Sequence, residues 1–196
     1  DLIAGLPYED FITFRKSFDQ AYDMKPDQLQ LGFLKVLKGS YMEEQVEAYD
    51  LQYQDYQPYE VLCTKWISYD EILALKKVEE MVEVYYNSDQ FAHTIPYLLS
   101  FYPSAFSFYA ALGDYYEAND LFGIGFKREA RYEALRQFAI ADPTITDLSM
   151  TVLDDLLTYD YYLRENAKSR PAWRLEEPID KIVYQQFFKN AGTDEV

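Results

Sequence analysis

The residues of this chain that could do chemistry are few, and each is isolated. His93 is the only histidine and Cys63 the only cysteine. A His-rich metal site is therefore excluded, and a hydrolytic triad is disfavoured because it would have one base to draw on. Flanked by Phe91 and Tyr97 in a helical pattern, His93 reads as a packed or surface residue. Cys63 has no neighbouring histidine and reads as a buried apolar residue. The carboxylate pairs Glu79-Glu80 and Asp154-Asp155 are adjacent in sequence. On a helix adjacent side chains diverge by about 100°, which suits solvent better than a shared acid-base site. Gly123-Ile124-Gly125-Phe126-Lys127-Arg128 begins like a phosphate loop, but it lacks a third glycine at the required spacing and no strand precedes it. It reads as a flexed loop.

Aromatic residues are the abundant resource, with 20 Tyr, 13 Phe and 2 Trp. The clusters Tyr85-Tyr86, Tyr115-Tyr116 and Tyr159 with Tyr161-Tyr162 could line a planar or apolar ligand, but core packing is the default for such rings. Charge excludes more than it suggests. Lys and Arg number 18 against 34 Asp and Glu, a formal net charge of −16. Such a surface repels phosphate backbones and anionic lipid, so neither nucleic acid nor membrane is expected as a partner. The basic patch Lys127, Arg128 and Arg131 reads as the solvated face of a helix. One cysteine allows no internal disulfide, and no signal-peptide pattern or long apolar run is present, so a cytoplasmic location is expected.

The elements that must position these residues fall into two kinds. Asp1 to Leu6 reads as a strand ended by Gly5 and Pro7. Asp10 caps a helix whose Phe11, Phe14, Phe18 and Tyr22 recur at helical spacing to about Met24, and Pro26 closes it. Leu29, Leu31 and Phe33 alternate along a second strand, apolar on both faces beyond Gly32, and a crossover of this length joins parallel neighbours. A strand as apolar as Asp1-Leu2-Ile3 is expected to be the inside of a sheet whose other strands lie upstream.

Ser40 with Glu43 predicts a capping box and a short helix through Met42, Val46 and Tyr49. Residues 50–67 read as irregular or briefly extended and form the expected connector between a first part, residues 1–49, and an all-helical part, residues 68–196. A second capping box, Ser68 with Glu71, opens the strongest helix, with a stripe of Ile72, Leu75, Val78 or Glu79, Val82 and Tyr85-Tyr86. Further helices are predicted from Asp89 to Phe101, bent near Pro96, from Pro103 to Glu117, from Lys127 to Ala141, after Thr144 to near Asn166, and from Pro178 to about Asn190. The expected fold class is mainly α: a helical bundle-like domain preceded by a short β-α-β remnant of a partial α/β, TIM-like barrel.

Residues 1–9, Asp-Leu-Ile-Ala-Gly-Leu-Pro-Tyr-Glu, resemble the fifth barrel strand of radical S-adenosylmethionine Fe-S oxidoreductases of the cobalamin-binding type. Residues 28–40, Gln-Leu-Gln-Leu-Gly-Phe-Leu-Lys-Val-Leu-Lys-Gly-Ser, resemble their sixth. The stretch from Pro58 to Phe91 is similar to the helical domain of unknown function at the C-terminus of that group.

The resemblance implies a partial barrel, a 4Fe-4S cluster held by a CxxxCxxC motif, cleavage of S-adenosylmethionine to a 5'-deoxyadenosyl radical and, in some members, cobalamin. The motif does not occur in these 196 residues, so no cofactor is expected on this chain and alone it is expected to be inert. Of the family's G-x-I-x-G-x-x-E strand pattern, Ile3 and Gly5 match, Asp1 replaces the first glycine and Glu9 falls one place late. Because ligands bind at the carboxyl ends of parallel strands, Ile3, Gly5, Phe33 and Leu34 are the expected cofactor-binding residues.

The expected function follows from the resemblance: a C-terminal part of such an enzyme, its helical domain covering or shaping the substrate site, its partner the missing N-terminal half. The alternative is a protein-interaction or dimerisation module, including a strand-mediated homodimer through exposed sheet edges.

Overall fold

The computed structural model describes residues 1–123, 128–163, 171 and 173. Strand β1 (Leu2–Ala4) pairs in parallel with β2 (Leu31–Phe33), in the register Leu2 to Leu31, Ile3 to Gly32 and Ala4 to Phe33. Helix α1 (Phe11–Asp23) makes the crossover. Its N-cap is Asp10, which accepts the Thr13 N–H at 2.8 Å, and it buries Phe14 and Phe18. The strand-helix-strand unit is therefore present as expected, and its cap satisfies one of the orphan N–H groups of the first turn.

Beyond Ser40 the predicted helix shortens to a single turn, α2 (Tyr41–Glu44). Ser40 caps it, but the Glu43 carboxylate accepts the Gly39 N–H at 2.6 Å rather than that of Ser40. The box is half made, and Met42 and Val46 are only half-buried, too little apolar surface to hold further turns. Residues 50–67 contain a hairpin of β3 (Gln52–Tyr53) and β4 (Val61–Cys63). The hairpin docks on the end of β2, with Val61 N–H to the Leu34 carbonyl at 2.8 Å and Val36 N–H to the Tyr59 carbonyl at 2.9 Å. Val61 is fully buried.

Helix α3 (Tyr69–Val82) opens with the full capping box of Ser68 and Glu71. Val78 rather than Glu79 completes its buried stripe, with Ile72, Leu75, Met81 and Val82. It continues as a π-helical turn over Glu83–Asn87 that buries Tyr85. Helices α4 (Thr94–Leu99), α5 (Ala105–Ala118), α6 (Arg128–Ala141) and α7 (Asp147–Leu163) follow. Gly113 lets α5 approach α3, since a Cβ there would meet the Lys77 Cβ at 3.0 Å. One apolar cluster runs from Ala4 through α3 and α5 to Tyr161.

The helix containing Pro96 differs from the sequence reading. The helix predicted from Asp89 starts at Thr94, because Asp89 sits at φ +52°, a left-handed conformation that cannot continue a helix. Pro96 then occupies the third helical position, where the N–H it lacks would have no intrahelical partner, and no bend is required. The expected helix from Pro178 to Asn190, and the stretch up to Asn166, lie outside the described residues. The mainly α class stands, with a parallel β-α-β unit at its start.

Candidate functional site

The carboxyl ends of β1 and β2 lead into the β1–α1 loop and the docked hairpin. Gly5, at φ +83°, is buried, and a Cβ built on it would stand 2.7 Å from Val61 Cγ1 and 3.7 Å from Leu34 Cβ. Gly5 and Leu34 are thus brought together, against Val61 and Ile72, in the core. Phe33 is buried as well, and the Lys76 ammonium lies 4.2 Å from its ring centroid while pairing with Glu60. A partly exposed cation over an aromatic face contributes about 0.5–1 kcal/mol. Of the four expected cofactor-binding residues only Ile3 is exposed, at 46%. It shares with Gly32 the sheet face opposite the buried Ala4, Leu31 and Phe33. β1 has no strand on its outer edge among the described residues.

Next to this end of the strands stands an aromatic group that pattern reading along the chain missed. Tyr8, exposed and at φ +68°, packs its ring 4.7 Å from Trp66 and 5.9 Å from Tyr49, and Tyr49 lies 5.4 Å from Trp66. The loops carrying them are tied by the Lys65 N–H to the Tyr49 carbonyl at 2.9 Å. Hydrogen bonding to the Tyr8 and Tyr41 hydroxyls raises the Tyr49 phenol above its ordinary pKa, so it stays a neutral donor and acceptor. Glu9, the acid one place late in the strand pattern, is half-buried and accepts from the Ser17 hydroxyl at 3.3 Å. Burial lifts its pKa, and the Ser17 bond only partly opposes this. The two phenols and the indole of this group can stack on a planar or apolar group and orient it by hydrogen bonds. The only signal in the sequence was position: Tyr8 follows directly on the Gly5-Leu6-Pro7 strand end.

The described residues do not fit the 4Fe-4S cluster that the resemblance implies for the whole enzyme. Cys63 is alone and half-buried rather than buried, and among the described residues no group of three or more His, Cys, Asp or Glu side chains is placed to hold a metal ion. At Gly5 the room a ligand would need is filled by Val61.

His93 has a partner no spacing announced. Its Nδ1 lies 2.7 Å from Oδ1 of the buried Asp160 on α7, and its ring meets Tyr159 edge-on at 4.8 Å. The same carboxylate takes the Thr94 N–H at 2.8 Å and hydroxyl at 2.7 Å. The pairing therefore serves as a helix cap built from a distant helix. Of the sequence-adjacent carboxylates, Asp154 binds Arg136 through two nitrogens, at 2.7 and 3.1 Å, and Glu79 is half-buried while Glu80 is exposed. Arg131 uses its backbone carbonyl to accept from Tyr85 at 3.0 Å, and Lys127 lies outside the described residues. So do residues 124–127 of the glycine loop. No described helix is long and apolar enough to cross a membrane.

Residues 47–195 match a family described as Protein of unknown function (DUF4080). Comparison with curated proteins and with solved structures finds no match.

Proposed function

The chain belongs to the DUF4080 family of proteins of unknown function, and we propose that it forms the C-terminal part of a radical S-adenosylmethionine Fe-S oxidoreductase. In this reading β1 and β2 are strands of the parent's barrel, and the helical part shapes the substrate site at their carboxyl ends. The observation that carries it is the state of the small sheet. β1 and β2 are parallel, yet the outer edge of β1 and the Ile3–Gly32 face are uncovered among the described residues. Parallel strands belong in sheets covered on both faces, and further strands supplied by the same polypeptide would complete this one. The group Tyr8, Tyr49 and Trp66 then faces the reaction chamber, and Ile3 is the one expected cofactor residue left free to meet a ligand. The chain itself provides walls and orientation; the cluster belongs to the upstream half.

The test is the parent enzyme. Its upstream sequence must contain CxxxCxxC, and the reconstituted full-length protein must release 5'-deoxyadenosine from S-adenosylmethionine where the 196-residue chain alone releases none. A parent without the motif, or cleavage by the chain alone, would sink the proposal.

The open β1 edge favours one other reading, a module that pairs with a protein partner or a second copy. Tyr8→Ala with Trp66→Ala in the full-length protein separates the two. Turnover falls under the first reading; under the second, turnover is unchanged and association through the β1 edge persists.

A further inference from the structure

A second site lies at the other end of the strands, and it does not depend on the reading above. Where α1 returns to β2, residues of the α1–β2 connection, the π-helical turn and α4 line an open cleft of about 650 Å³, within the range of small-molecule pockets. Its walls are Tyr22, Tyr86, Tyr85, Phe91, Ile95 and Leu99. The Tyr22 and Tyr86 rings stand 5.0 Å apart at 50°, and Tyr85 packs 4.9 Å from Phe91.

The backbone around the cleft is fixed by side-chain bonds between segments far apart in sequence. Tyr86 donates its hydroxyl to the Pro26 carbonyl, joining one wall to the other. Asn87, at the end of the π-helical turn, accepts the Leu29 N–H at 2.8 Å and donates to the Leu29 carbonyl at 3.1 Å. Lys25 and Asp89, on the rim, both hold left-handed backbone, at φ +50° and +52°. π-turns and strained non-glycine residues concentrate at ligand sites.

The chemistry of the lining selects the ligand. Tyr85 and Phe91 are buried behind the wall, and the half-buried rings of Tyr22 and Tyr86 are its accessible aromatic part; the Tyr86 proton is already given to Pro26, leaving its oxygen as an acceptor. The rim carries the carboxylates of Asp27 and Asp89 against the single ammonium of Lys25. The whole chain adds a net −16, which concentrates cations and repels anions. We propose that this cleft binds an organic cation: an aromatic or alkyl body seated among Tyr22, Pro96 and Leu99, with its ammonium between the Tyr22 and Tyr86 rings and the Asp27 and Asp89 carboxylates.

The experiment titrates the 196-residue chain with three matched probes, 3-phenylpropylamine, 3-phenylpropanol and 3-phenylpropionate, followed by ligand-observed NMR and calorimetry. The amine binds best, and the acid at least about tenfold more weakly, as cation-aromatic and carboxylate contacts require. Tyr22→Leu, which keeps an apolar wall but removes the ring, lowers amine affinity about fivefold. Lys25→Asn, at an exposed position whose left-handed backbone asparagine tolerates, raises it. Equal binding of acid and amine, no binding of any probe at millimolar concentration, or a Lys25→Asn protein with unchanged amine affinity would each overturn the proposal. The last holds even if Tyr22→Leu fails to fold.

Discussion

Asp160 on α7 caps α4 from 66 residues away, accepting the Thr94 N–H at 2.8 Å while its other oxygen faces His93 Nδ1 at 2.7 Å. A similar arrangement recurs on α5, where Asp19 of α1 accepts the Phe106 N–H at 2.8 Å. Side chains of distant helices supply helix-capping bonds, so the bundle's tertiary packing and its secondary structure stabilise one another.

Asp160→Ala removes the acceptor from four buried or half-buried donors, and hydrogen bonds to a charged group contribute about 1.5–3 kcal/mol each before relaxation. The variant should lose about 3 kcal/mol or more in urea unfolding, and Asp160→Asn, which keeps one oxygen, about half as much. Equal stability of Asp160→Ala and the parent would show that α4 finds its cap elsewhere.

Gly5 combines a positive φ with a filled neighbourhood. Gly5→Ala meets Val61 Cγ1 at 2.7 Å, and clash and backbone strain together should cost about 2–4 kcal/mol. Gly39, at φ +76° with nothing within 4 Å, isolates the backbone effect, and Gly39→Ala should cost about 1 kcal/mol. Val61→Ala in the Gly5→Ala background should recover part of the loss, measured as a double-mutant cycle.

Asn87 makes two bonds to the Leu29 backbone and thereby fixes the entry to β2 on the π-helical turn. Asn87→Ala should cost about 2 kcal/mol, with faster hydrogen exchange of the Leu29 and Leu31 amides relative to those of α5. Uniform change across both regions would mean that the contact is not local.

Burial raises the Glu79 carboxyl above its ordinary pKa of 4.5, with Lys76 opposing and Glu80, Glu83 and Glu60 adding to the rise. A folded pKa above the unfolded one means that the ionised form destabilises the fold, and that the penalty disappears as pH falls through the folded pKa. Glu79→Gln should therefore unfold at higher denaturant than the parent near pH 7, with the gap closing near pH 4. The reverse ordering at neutral pH would place Glu79 in a stabilising ion pair with Lys76.

The local features were legible along the chain because short-range chemistry writes them. The Asp10 and Ser68 caps and the stripe of α3 depend on residues within a few positions, and the parallel pairing follows from the order strand, helix, strand. The choice of Val78 over Glu79 was not open to periodicity, since both fit a helical face and only the packing of α5 decides between them. The later start of the helix expected from Asp89 has a related reason: Asp89 is left-handed and the cap of α4 is on α7, and local pattern cannot register a donor-acceptor pair 66 residues apart.

By itself the sequence determined the class of the fold, its acidic character and the scarcity of reactive side chains, because composition and short periods act without knowledge of the rest of the chain. Tertiary structure alone decided that Gly5 and Leu34 are packed beneath Val61 while Ile3 is left open. It alone gathered Tyr8, Tyr49 and Trp66 at one end of the strands and formed the cleft of Tyr22 and Tyr86 at the other. Burial and convergence are properties of chain segments far apart in sequence, and only the folded chain brings them into contact.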